Sequence, residues 1–483
     1  MIFEQIRTSK IASTPNGASA VLIRTSNKNK LKYRVRANAP AVSEKRLEPL
    51  VKSELVNYLK VGCKPRSSWR IGTEHEKFGY NFKTNERMTY DEIAHILSTL
   101  RDTHGWEPIN ENDKIIGVQL NNQSVTLEPG GQFELSGAPV TNIHQTYKEA
   151  EAHLQLVKSI SAKLGCGFIG LGFDPKWKLS DVPTMPKGRY HLMKQYMPTV
   201  GTKGLDMMFR TCTVQVNLDF ESEKDMVEKF RIGLALQPIA NALFANSPFK
   251  EGQLSGYLSA RGNVWTDVDK SRTGNLPFVF SPDMSFESYV DYAMDVPMYF
   301  VYRNGTYINA LGQSWRDFMQ GKLPALPGEF PSIADWANHL TTIFPEVRLK
   351  RFLEMRGADS GSLDKICALS AFWVGLLYDP TAQQESLQLI KDWSAAERET
   401  LFQTVPIKSL ATPFRNDKVA AVAKTAVQIS KDGLKRRGLG EEKYLEPLEE
   451  ILSSGKTQAE VLREKFLGEW NGRVEPVYDF AKY

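Results

Sequence analysis

Cysteine is scarce in this chain. Four cysteines occur in 483 residues, at 63, 166, 212 and 367, with no CxxC pair and no zinc-ligand spacing. That excludes a disulfide framework and predicts reduced, mostly buried thiols. The seven histidines are too dispersed for a His-rich site. No GxxxxGK(S/T) phosphate loop, GxSxG elbow or HExxH helix occurs, so any ATP must be held another way. Gly165-Cys166-Gly167-Phe168-Ile169-Gly170 has the GxGxxG spacing, but it follows a helical pattern and precedes an apolar run. A dinucleotide fingerprint needs strand, turn, then helix, so these glycines read as a helix stop and a tight turn into a strand. The longest apolar stretch, Ala368–Tyr378, is too short to span a bilayer, and no membrane association is expected.

Acidic residues are absent between Glu4 and Glu44. Eight basic residues and Glu4 give residues 1–43 a net charge of +7, while the remaining 53 basic and 55 acidic residues net −2. The overall +5 therefore belongs to the leader and argues against a nucleic-acid surface on the rest. A basic leader rich in Ser, Thr, Ala and Asn reads as an organelle transit peptide, with removal near Val35–Ala41; a disordered basic tail is the alternative. The rest, 41% of the whole being hydrophobic, reads as one globular domain over 44–483. Helical periodicity is present over Glu44–Val61, His144–Leu164, Ser222–Ala245, Lys418–Arg437 and Thr457–Trp470, and the part after Thr381 is predominantly helical.

Between the helices lie segments that alternate with period two, as antiparallel strands do. Thr211–Phe220 places Thr211, Thr213, Gln215, Asn217 and Asp219 on one face. Trp69–Phe82 aligns Glu74 and Glu76, leaving His75 on the opposite side. Ser124–Ser136, broken at Pro129-Gly130-Gly131, aligns Gln132 with Glu134, and Arg351–Ala358 aligns Glu354 with Arg356. Ordinary solvated faces are one reading. Lysine, however, is nearly absent from these faces, and carboxylates and amides recur. If the strands share a sheet, the carboxylates repel one another and call for a cation, and oxygen donors without Cys or His suit Mg²⁺. Pattern alone leaves both readings open. Two further loops, Pro186–Tyr190 and Arg261–Asp267, offer arginines suited to carboxylates.

Arg70-Ile-Gly-Thr-Glu-His-Glu-Lys-Phe-Gly79 and Leu127-Glu-Pro-Gly-Gly-Gln-Phe-Glu-Leu-Ser136 resemble metal-binding strands of plant-type glutamate–cysteine ligases. Runs 207–220, 233–249, 335–359 and 371–379 are similar to the same family, so the resemblance covers roughly residue 50 onward. It implies an α+β, glutamine-synthetase-like funnel of antiparallel strands surrounded by helices, residing in a plastid. It also implies ATP-dependent phosphorylation of the glutamate γ-carboxylate, followed by attack of the cysteine amine. Carried over by position, Glu74, Glu76, Glu128, Gln132, Glu134, Gln215 and Glu354 are candidate Mg²⁺ ligands. Arg261, Arg189, Trp265 and Tyr299 are candidates for the amino-acid pockets, and Arg356 is the candidate catalytic residue at the transferring phosphoryl group. Land-plant members carry regulatory cysteine pairs; here Tyr147 stands opposite the Cys367 position, and Ala310 and Ala325 replace the other pair. A monomer or weak homodimer without that thiol switch is therefore expected.

Alternatives are a carboxylate–amine ligase with another amine acceptor and, from a different class, a basic plastid nucleic-acid-binding protein. The leader generates the first prediction. Residues 1–45 fused to a fluorescent reporter are expected to enter plastids; diffuse cytosolic fluorescence would leave a basic tail.

Overall fold

The computed structural model describes residues 48–483; the basic leader and the start of the expected 44–61 helix lie outside them. Nine strands form one sheet: β1 Ile71–Asn81, β2 Glu107–Glu111, β3 Lys114–Leu120, β4 Gln123–Leu127, β5 Phe133–Ser136, β6 Cys166–Ile169, β7 Thr213–Leu218, β8 Val347–Leu349 and β9 Leu353–Asp359. Their order is β8-β9-β7-β1-β5-β4-β3-β2, with β6 paired to the far half of β1. Neighbours run antiparallel throughout. The four strands read from alternation are thus neighbours, and the 124–136 segment divides into β4 and β5 at Pro129-Gly130-Gly131. Gly131 takes a φ of 78°, which favours glycine, while a side chain at Gly130 would strike the Phe209 carbonyl.

The principal helices are α1 Lys52–Lys60, α2 Tyr90–His104, α3 Ile143–Ala162, α4 Gly188–Tyr196, α5 Glu223–Leu243, α6 Ala260–Trp265, α7 Leu363–Leu377 and α8 Val419–Arg437. The described part of the first expected helix starts late, at Lys52: Pro49 disfavours a helical Glu48, and Val51 is extended. In α5, Ser222 caps the helix as its sequence predicts, its hydroxyl accepting the Asp225 N–H at 3.2 Å. The apolar stretch Ala368–Tyr378 falls in and at the end of buried α7, and no helix among the described residues is long and apolar enough to cross a membrane.

Alternation on the strands decides which face is packed. Val214, Val216, Leu218, Leu353 and Met355 join α5 and α7 in the main core. Val125, Leu127, Phe133 and Leu135 join α2 and α3 in a second core. Thr73 and Ser370 hydrogen-bond at 2.9 Å, tying β1 to α7. The carboxylates Glu74, Glu76, Glu134 and Glu354 and the amides Gln215 and Asn217 are left on the other face.

On α3, Glu149 anchors the exit of β5. One of its oxygens accepts the Ala138 N–H at 2.8 Å, and the other lies where a Gly137 side chain would be. Burial pushes its pKa up to about 7, against an ordinary 4.5, the Ala138 bond offsetting part of the rise. In that window the folded protein keeps a proton that the unfolded chain has released. Stability contributed here is therefore lost as pH rises from about 4.5 to about 7. Glu149→Gln is expected to remove this slope. Its stability should improve relative to the parent as pH rises through the window, measured by urea unfolding at both ends; parallel curves would refute it.

Candidate active site

Strand register assembles the polar face. Glu74 on β1 stands opposite Ser136 on β5 and Gln215 on β7, and Glu76 stands opposite Glu134. Farther out, Glu134 faces Thr126, while Glu354 on β9 lies between Asn217 and Arg348. The result is a face with an acidic half around β1 and β5 and a basic half around β8 and β9.

In the acidic half hydrogen bonds from neighbouring strands aim Glu74, Glu76 and Glu134. Glu74 accepts the Asn217 side-chain N–H at 2.7 Å, Glu76 accepts the Thr213 N–H at 3.0 Å, and Glu134 accepts the Thr126 hydroxyl at 3.0 Å. Glu128 opens the turn into β5, with its Oε1 at 3.4 Å from the Tyr190 hydroxyl. Burial, then repulsion from Glu128, pushes Glu76 up to about 8, although Arg261 and Arg356 act in the other direction. Burial followed by Glu128, Glu74 and Glu76 drives Glu134 well above the carboxylate range. Among the described residues, no three His, Cys, Asp or Glu side chains form a ready-made ion cage. The donor set still fits a hard divalent cation of the Mg²⁺ kind. Its donors are all oxygen, its charges repel one another, and such an ion keeps several waters and takes only one or two carboxylates beside substrate phosphates. His75 lies on the opposite side of β1, buried, with neither ring nitrogen hydrogen-bonded among the described residues.

The basic half centres on Glu354, whose side chain is fully buried. Arg348 grips it bidentately at 2.5 and 3.0 Å, Arg356 reaches it at 3.1 Å and Lys350 at 3.4 Å. Burial alone would raise its pKa, but Arg348, Lys350 and Arg356 outweigh burial and hold it well below the usual range. Strand β9 is irregular between Met355 and Ala358. There the Arg261 guanidinium donates to the carbonyls of Gly357 and Arg356, at 2.7 and 2.8 Å. A side chain at Gly357 would meet Asn241, Gln237 and Glu346 at 2.5–2.6 Å, so the kink requires glycine. The Arg356 side chain is thereby directed to the Gln215 Oε1, 2.5 Å away.

A third group comes from the start of α4. Buried Lys187 donates to the Leu127 carbonyl at 3.0 Å, and burial pulls its pKa down to about 8. Next to it, Arg189 has an Nε without a hydrogen-bond partner among the described residues, and Glu128 and Glu134 act on it electrostatically.

The model for "Glutamate-cysteine ligase family 2 (GCS2)" matches residues 70–479. Chloroplastic glutamate–cysteine ligases of Brassica juncea and Arabidopsis thaliana are each 57% identical over 436 residues, 90% of this chain and 85% or 84% of theirs. The chain belongs to glutamate–cysteine ligase family 2. At the level of fold alone, the crystal structure of a Francisella tularensis glutamate–cysteine ligase in complex with AMP is similar. Its TM-score is 0.50 at 13% identity, over 86% of this chain and 87% of that one.

Several side chains expected to bind ligands in this family-2 ligase are spent on holding others. Gln132 accepts the Gly130 N–H and donates to the carbonyls of Met208 and Thr211, so it braces the β4–β5 turn. The Gln215 oxygen holds Arg356, and Glu354 is ringed by Arg348, Lys350 and Arg356. Arg261 pins the β9 kink through its two Nη groups, while its Nε has no hydrogen-bond partner among the described residues. Tyr299 is buried beneath Arg272, its hydroxyl 3.8 Å from the Met197 sulfur, so it belongs to the core. Trp265 lies beside Arg261, largely buried, with its indole N–H unpaired among the described residues. Sequence reading missed Arg348 and Lys350. Their two-residue spacing was the available signal, obscured because β8 is only three residues long.

Removing Glu354 would leave three cations without their anion. Glu354→Ala is expected to cost about 3–5 kcal/mol, the usual penalty for breaking one side of a buried ion pair. Urea unfolding beside the parent measures this, and an unchanged midpoint would mean that the cluster contributes no stability.

Proposed function

We propose that this chain joins the γ-carboxylate of glutamate to the amine of cysteine at the expense of ATP, as the first step of glutathione biosynthesis in a plastid. A carboxylate resists attack by an amine, so its oxygen is first phosphorylated to a γ-glutamyl phosphate. The amine then attacks the acyl carbon and phosphate leaves. The observation that carries this reading is the division of one sheet face into a carboxylate half and a cationic half. Phosphoryl transfer needs little covalent help from a protein; it needs reactants positioned and charge neutralised.

Glu74, Glu76, Glu128 and Glu134 would hold Mg²⁺. When bound, that ion supplies neutralisation of the triphosphate, which otherwise repels an incoming carboxylate. Asn217, Thr213 and Thr126 keep the first, second and last of these carboxylates in place. Arg356, steadied by Gln215 and Glu354, stabilises negative charge on the transferring group. Arg189, whose Nε has no hydrogen-bond partner among the described residues and on which Glu128 acts, is suited to the glutamate substrate's carboxylate, and Arg261, with its Nε likewise unpaired among them, is the second candidate. Arg261 supports the reaction through the backbone that carries Arg356. Trp265 would line the amino-acid pocket beside it. A monomer or weak homodimer suffices, since each role falls to one chain.

The test is an ADP-release assay on residues 44–483 with glutamate, ATP, Mg²⁺ and a panel of amines. ADP should appear at a high rate only with all components and cysteine; another amine working better would move the chain to a different acceptor. Glu74→Gln is expected to lower kcat by about 10²-fold. Arg189→Ala should raise the KM for glutamate more than that for ATP, and the reverse pattern would move Arg189 to the nucleotide side.

A further inference from the structure

Three cations surround Glu354, and they are not equally committed. Arg348 is spent: Nε and Nη2 grip Glu354, and Nη1 donates to the carbonyls of Thr341 and Ile343, both at 3.1 Å. Arg356 directs one Nη between Gln215 and Glu354. Lys350 makes one long contact, 3.4 Å to Glu354 Oε1. Its side chain is 24% exposed, against 8% for Arg348, 12% for Arg356 and 0% for Glu354. Lys350 occupies the β8–β9 turn, where its N–H bonds to the Phe352 carbonyl at 2.9 Å. It is two residues beyond Arg348, and Glu74 of the acidic half is among the charges acting on it. The cluster thus carries an excess of two positive charges, and the ammonium that faces outward is the loosest of the three.

We propose that Lys350 is a catalytic residue whose ammonium contacts the non-bridging oxygens of the phosphoryl group as it passes from ATP to the substrate carboxylate. The group in transfer spreads negative charge over three equatorial oxygens, matching a two-charge excess better than a single carboxylate does. A point charge on a four-carbon stem can follow those oxygens, whereas a planar fork locked on Glu354 cannot. In the step, a carboxylate oxygen bonds to the γ-phosphorus as its bond to the ADP oxygen breaks, and the electron pair leaves on ADP. Attack by the amine then expels that oxygen with inorganic phosphate, and the amine proton passes to solvent.

The inference rests on the acyl-phosphate route, and one experiment separates the two. ATP labelled with ¹⁸O at the β,γ-bridge is incubated with enzyme, Mg²⁺ and glutamate without cysteine; positional exchange in the parent requires γ-glutamyl phosphate to form reversibly. No exchange in the parent would overturn the route and the proposal with it. With exchange established, Lys350→Met is expected to lower both kcat and exchange by about 10²-fold, with KM for glutamate little changed and circular dichroism unaltered. Lys350→Arg should recover part of both rates. A kcat near the parent's, or a large rise in glutamate KM at unchanged kcat, overturns the assignment. Should the Met variant not fold, Lys350→Gln carries the same comparison.

Discussion

Strand β1 is paired on both sides, with β5 and with β7, and that double pairing is what makes a site out of scattered acids. Glu74 and Glu76 come from one strand, Glu134 from a neighbour, and Gln215 and Asn217 from the other. Antiparallel register places them on one face because side chains of directly opposed residues point the same way. A one-residue slip of β7 would send Gln215 and Asn217 into the core and bring Val214 and Val216 out, and a slip of β1 would bury Glu74 and Glu76 in the same way. The apolar half of the alternation, locked against α5, α7 and α3, prevents that slip. Packing on one side of the sheet is therefore the condition for chemistry on the other.

Charge on the polar face is segregated rather than paired. In the acidic half burial and repulsion from neighbouring carboxylates raise the pKa values of Glu76 and Glu134, so the half is strained toward accepting protons or a cation. In the basic half Glu354 is held ionised by its three cations. Glu354 is the anchor that lets Arg348, Lys350 and Arg356 share a small volume. The kink in β9 completes the arrangement. Gly357 permits the kink, Arg261 binds its carbonyls, and Arg356 is turned onto the face as a result.

Helix boundaries at Ser222 and Arg437, the strands around Glu74, Gln215, Glu134 and Glu354, and the break at Pro129-Gly130-Gly131 were legible from local chemistry: caps, period-two alternation and turn residues. The site was legible as a set of polar strand residues and less so as roles. Gln132, Gln215, Glu354, Arg261 and Tyr299 have residue types suited to ligands, and the structure shows them also holding a turn, an arginine, a cation cluster, a kink and a core.

What the chain's sequence determined by itself is which residues lie on which face, because the side-chain period of a strand is a local property. It also determined family membership through long, specific strings. Tertiary structure alone decided which polar groups remain available. That depends on hydrogen bonds between residues far apart in the chain, such as Arg261 with the Arg356 and Gly357 carbonyls, or Arg356 with Gln215. A donor satisfied by a distant carbonyl looks, in one dimension, the same as a donor waiting for substrate.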